Sequence, residues 1–336
     1  MKGSLKMMPR EFFWRRVHSI FGLLIVLFLI EHMLTNSQAA LLFGESGQGF
    51  IDAVNFIKHL PYLPFLEIFL IGTPIVFHGV LGVKYALSGK FNSFPTDGSN
   101  PSLTRYPRNH AYTMQRLTSW ILLIGIIAHV SYMRFYRYPT HARISDKVLY
   151  FNRLSVDEGL YTVSARLGVK LFDEKQIEEE KRILLSTESS IESIEDKAEF
   201  LLERKKAETT YSFDDEKILL QWQNYKQQQA FVKALTHWPL TDKEVVAQAP
   251  DFGVITLLMV RDAFKSVFKS ILYTVFVLSA AFHGFNGLWT FCMTWGVMIK
   301  ARTQSRVMNF CWGLMALIAF LGLASIWGSY FVNLAK

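Results

Sequence analysis

Four histidines have the right type and spacing for metal chemistry: His32, His78, His129 and His283. Each stands inside a different apolar stretch long enough to cross a bilayer. The stretch at 272–299, LYTVFVLSAAFHGFNGLWTFCMTWGVMI, has no charged residue and carries His283 near its middle. A titratable ring in hydrocarbon is costly, so it points to function. A lone membrane histidine is commonly satisfied by an interhelical hydrogen bond instead. Four of them on four stretches suggest two bis-histidine metal centres in a helical bundle.

The elements that must position these rings follow from composition. The chain has 336 residues, 51% of them apolar. The apolar residues gather in blocks of about 20 or more, the signature of an all-α polytopic membrane protein. The net charge of +8 is no nucleic-acid footprint, because the basic residues flank the apolar stretches. Five spans are predicted, at 17–36, 65–88, 112–135, 268–299 and 307–333. The first has a basic flank (Lys2, Lys6, Arg10, Arg15, Arg16) and no small-residue cleavage site, so it is expected to be retained. Only two cysteines occur, Cys292 and Cys311, with no CxxCH site, so any haem would be held by axial ligands alone.

Lysine and arginine set the orientation. The N-terminal tail, the second connector (Lys90, Arg105, Arg108) and the short fourth connector (Lys300, Arg302, Arg306) alternate correctly to lie together on the cytoplasmic side. The chain then divides into spans 1–3 at 1–135, an external insertion at 136–265 and spans 4–5 at 266–336. Two charged, helically periodic runs, at 173–206 and 214–235, predict a helical hairpin and a mostly helical insertion. Its simplest role is a solvated insert; a partner-docking surface is the alternative.

Position along a helix converts to depth at about 1.5 Å per residue. His32 and His129 fall roughly 22 and 25 Å along outward-running spans, near the outer surface. His78 and His283 fall about 20 Å along inward-running spans, at a deeper level. Spans one and three, and spans two and four, are diagonal in an up-down bundle. Each level therefore offers two imidazoles across the bundle axis. A closed zinc site would need four ligands; two axial nitrogens suit haem iron. Small residues around the ligands (Gly79, Gly82, Ala280, Ala281, Gly284, Gly287) would admit a flat macrocycle, or serve ordinary helix packing.

Arg15, Arg16, Lys84 and Arg116 lie near the inner boundary. Arg116 is the best candidate for a haem propionate, with interface anchoring as the plainer role. His18 sits too near its span's end for axial ligation and suits a structural or propionate role. At the outer end Glu31 and Glu67, with Lys58 and His59 between them, are candidates for a quinone region.

The chain resembles the cytochrome b membrane-anchor subunit of succinate dehydrogenase, of the five-helix, di-haem, menaquinone-linked kind. The motifs that carry the likeness are FFWRRVHSIFG, EHMLTN, LPFLEIF, FHGVLGVKYA, MQRLTSW, AHVSYMR and FHGFNGLWTFCMTWG. The resemblance implies two non-covalent haem b groups: a low-potential outer one on His32 and His129, and a higher-potential inner one on His78 and His283. It implies docking of a flavoprotein and an iron–sulfur subunit on the cytoplasmic face, which bring the FAD and iron–sulfur clusters. It also implies menaquinone as acceptor and residence in the cytoplasmic (inner) membrane. Two features depart from the family: the long insertion, and Ala281, where related di-haem fumarate reductases carry a glutamate. The alternatives are a quinol:fumarate reductase anchor, a histidine-containing transporter without haem, and a structural anchor.

Overall fold

The fold was analysed in a computed structural model that describes residues 9–40, 47–89, 93–94, 103–205 and 212–334. Lys2, Lys6, Lys90 and the end of the first charged run, Lys206, lie outside the described residues. Two compact units emerge, Met1–Arg134 with Ala263–Ala335, and Phe135–Asp262.

In the first unit five helices are long and apolar enough to cross a membrane: Arg10–Ser37, Leu63–Ser88, Pro107–Tyr136, Val267–Thr294 and Ala301–Leu334. They are the spans predicted from hydropathy, but their ends differ. The first, third and fifth helices begin five to seven residues earlier, because helical hydrogen bonding continues into the polar flank that hydropathy discards. Pro107 at the first turn suits the start of the third span. The fourth span stops at Thr294, short of residue 299, because Gly296 takes a left-handed φ of 69°. Its N–H then reaches Met293 O at 3.2 Å and the Val297 N–H reaches Cys292 O at 2.9 Å, closing the helix as a Schellman motif. Widened π-type turns occur at Glu67–Gly72, Ser131–Tyr136 and Ala324–Gly328.

The first span packs on the second, fourth and fifth, and the fourth also packs on the third and fifth. Small residues make the closest approaches. A Cβ on Gly125 would stand 2.4 Å from the Phe276 ring, and one on Gly322 2.4 Å from Val277 and 3.0 Å from the Met33 sulfur. Without a hydrophobic drive between helices in lipid, such close van der Waals packing holds a bundle together.

The second unit adds to its helices a sheet that the sequence analysis does not anticipate. It contains a four-stranded antiparallel sheet of β1 (Thr140–Ile144), β2 (Lys147–Ser155), β3 (Lys170–Phe172) and β4 (Glu244–Ala249), in the order β1-β2-β4-β3. A two-residue turn at Ser145 and Asp146 joins β1 to β2, with Ser145 at φ 53°. The expected charged helices are present at Glu174–Glu192, Glu195–Lys205 and Phe213–Leu235. Asp173 and Gln176 start the first of them with a capping box. Phe151, Val246, Ile177, Leu235 and Trp238 form the core between sheet and helices. A buried ion pair joins Arg137 to Asp262 at 2.6 Å, and Asp262 also accepts from the Ser155 N–H at 3.0 Å.

Two predictions follow from this packing. Gly322→Ala is expected to lower the stability of the detergent-extracted protein by about 1–3 kcal/mol through overpacking. Gly313→Ala, where a Cβ meets nothing within 4 Å, should leave the thermal midpoint unchanged or slightly raised. Equal midpoints for the two variants would contradict the close approach. Asp262→Ala strands the buried Arg137 charge and should destabilise the second unit by about 3–5 kcal/mol. Faster hydrogen exchange across β2 and β4 reads that loss, and unchanged exchange would contradict it.

Candidate functional site

The first unit brings the four histidines together in two pairs. His32 of the first span meets His129 of the third, with ring centroids 5.9 Å apart and planes at 81°. His78 of the second span meets His283 of the fourth, at 6.2 Å and 81°. A metal–imidazole bond is about 2 Å and the ring centre lies about 1 Å further, so two imidazoles on one metal sit roughly 6 Å apart. Both pairs match that spacing. Among the described residues, no group of three or more His, Cys, Asp or Glu side chains could hold a metal ion. Each level thus supplies two protein nitrogens, the number a haem iron takes.

Partners on neighbouring helices orient the rings. His78 Nδ1 donates to the His18 main-chain carbonyl at 2.9 Å. His283 Nδ1 faces the Gln115 carbonyl at 3.1 Å and the Thr118 hydroxyl at 3.3 Å. A proton held on Nδ1 leaves the Nε2 lone pair for a metal. Gln115 locks this corner further, donating to the His283 carbonyl at 3.0 Å and accepting from the Asn286 amide at 2.8 Å. At the other level His129 Nδ1 lies 3.1 Å from the Tyr273 hydroxyl. His32 Nδ1 lies 3.4 Å from the Asn36 amide nitrogen, which also donates to the His32 carbonyl at 2.8 Å.

Three further residues contribute, and His18 is the one to which the sequence already assigns a structural or propionate role. His18 stacks on His78 with centroids 3.9 Å apart and planes 9° from parallel. Its Nδ1 is buried without a hydrogen-bond partner. Gly22 is the second: a Cβ there would stand 2.9 Å from His78 Cε1. Of the glycines singled out from sequence, Gly79 has nothing within 4 Å of such a Cβ, and Gly82 meets His18 Cε1 at 3.6 Å. Tyr273 is the third, and nothing in the sequence marks it as a partner of His129.

The charged candidates have partners of their own. Arg116 is buried, and one of its guanidinium nitrogens donates to Ala86 O and Gly89 O, both at 2.6 Å. It thereby caps the C-terminal carbonyls of the second span. Arg16 donates to Thr294 O at 3.3 Å and lies over the Phe12 ring, while Lys84 pairs with Glu11 at 2.8 Å. Glu67 pairs with Arg134 of the third span at 2.6 Å. Glu31 accepts from Thr35 at 2.9 Å, and His59 lies against Asn55 O at 2.6 Å. Glu31 and Glu67 therefore have separate partners.

No family model matches the chain, and no solved structure matches it. Among curated proteins it is similar to the succinate dehydrogenase cytochrome b558 subunit of Bacillus subtilis (strain 168), with 37% identity over 122 residues. The match covers 36% of this chain and 54% of that protein, so the chain spans about half the length of the curated relative it matches.

Proposed function

We propose that this chain is a di-haem cytochrome b, the membrane-anchor subunit of a succinate:menaquinone oxidoreductase. The observation that carries the reading is the pairing of imidazoles from alternate spans at separations that suit one metal each. In this reading His32 and His129 hold an outer haem b, and His78 and His283 an inner one. Bound there, haem b supplies one-electron redox chemistry at a potential set by axial ligands and burial.

The chain's own residues hold, orient and insulate. His78 and His283 keep their protons on Nδ1 against main-chain carbonyls and present Nε2. Gln115 and Asn286 tie the third span to the fourth beside that level. Arg116 would add a propionate to the carbonyls it already caps. Glu31 and Glu67 are proposed to border the quinone; Glu67 would exchange a proton only when its Arg134 ion pair opens. The chain has no dinucleotide fingerprint and no cysteine cluster. Flavoprotein and iron–sulfur partners would therefore bring the succinate chemistry, docking on the cytoplasmic face. The likeness to the succinate dehydrogenase cytochrome b558 subunit of Bacillus subtilis supports this assignment. The chain would lie in the cytoplasmic membrane with its N-terminus inside and residues 136–265 outside.

Purified from its native membrane, the protein is expected to carry about two haems, one per histidine pair, and to bring a flavoprotein and an iron–sulfur subunit with it. His78→Leu and His283→Leu should each lose the same haem, and His32→Leu and His129→Leu the other. A pyridine haemochrome assay that finds no haem in the unsubstituted protein, or full haem in His283→Leu, would contradict the reading.

A further inference from the structure

We propose that His18 is a positioning residue for His78, fixing the plane of that ring and so tuning the inner centre and not the outer one. The inference rests on the proposed function, in which His78 is an inner ligand.

Two contacts from one residue converge on the His78 ring. The His18 imidazole lies flat on it, 3.9 Å between centroids and 9° from parallel. The His18 main-chain carbonyl accepts its Nδ1–H at 2.9 Å. One turn further along the same face of the first span stands Gly22. A side chain at that position would collide with the ring, since its Cβ would lie 2.9 Å from Cε1 and 3.2 Å from Nδ1. The first span therefore offers His78 a flat floor at residue 18 and open space at residue 22.

His18 is itself held from behind. Tyr85 meets its ring edge-on, at 5.4 Å and 87°, and the Cβ position of Gly82 is 3.6 Å from its Cε1. Both residues belong to the second span, the helix that carries His78. A ring stacked on one face and hydrogen-bonded at Nδ1 cannot turn about its Cβ–Cγ bond. The plane in which Nε2 presents its lone pair is then fixed. Ligand orientation and the hydrogen bond at the far nitrogen are the protein's levers on a haem centre.

The outer pair is built differently. Around His32 the aromatic neighbour is Phe28, tilted at 35° and 5.3 Å away. Around His129 they are Tyr273, edge-on at 5.7 Å, and Phe276, tilted at 40° and 5.9 Å. Among the described residues, neither outer ring has a parallel stacking partner of this kind. The flat face of His18, and not its nitrogens, is what distinguishes the inner level.

The test compares His18→Leu with His18→Phe in the purified full complex, by haem content, low-spin EPR signals and redox titration of each haem. Leucine removes the flat face and phenylalanine keeps it. The expected result is a shift in the g-values and midpoint potential of the inner haem alone in His18→Leu, or its selective loss, with His18→Phe close to the unsubstituted protein. An inner centre unchanged in His18→Leu, or shifted equally in both variants, would overturn the proposal. So would loss of both haems in both variants, which would make His18 a residue of the fold alone. Absence of haem from the unsubstituted complex would overturn the proposed function itself, and is read before either variant.

Discussion

An imidazole inside hydrocarbon must find a polar partner, and that constraint organises the first unit. Histidine rings from four different spans meet in two groups, His18 with His78 and His283, and His32 with His129. Desolvation penalises any polar nitrogen left unmade. The bundle answers at His78 and His283 with main-chain carbonyls donated by a neighbouring helix, at residues 18 and 115. A helix carbonyl is normally committed to its own ladder, so lending it to a ring requires the two helices to lie close. One end of each ring is thereby satisfied and the other is left for chemistry. In the proposed reading the same bond serves stability and function together.

Close approach is where the small residues enter. Gly22 clears the His78 ring, Gly125 the Phe276 ring and Gly322 the side chains of Val277 and Met33. Each lies where the fourth span, or the ring beside it, would otherwise be pushed outward. The fifth span brings no histidine but backs the fourth. Trp327 there donates to the Thr274 hydroxyl at 2.9 Å, one residue along from Tyr273, the partner of His129. A helix without a buried histidine can in this way keep a histidine-bearing helix in register.

Much of this was legible in the sequence, for physical reasons that also explain what was not. Hydropathy showed the five spans because about 20 apolar residues in a row have few other uses. Counting residues from charge-assigned ends gave the pairs His32 with His129 and His78 with His283, which the structure brings side by side; their ligand role is what is proposed. The same counting sets His18 aside as an axial ligand and leaves it a structural or propionate role, because distance from a helix end does not tell which ring lies across the groove. Gly22 is not among the small residues that sequence adjacency to the histidines singles out, because its contact with His78 comes from another helix. Helix ends were misplaced because hydropathy and hydrogen bonding stop at different residues. The sheet of the second unit was missed because its strands are three to nine residues long, and the longer charged helices dominated the periodicity.

In the proposed function imidazoles from alternate spans grip two irons from opposite sides. Near-infrared magnetic circular dichroism of the oxidised, purified protein tests it most directly, because low-spin ferric haem reports its two axial ligands there. Bis-imidazole ligation of two haems per chain is the expected result. High-spin iron, a methionine or thiolate ligand, or a single haem would contradict it.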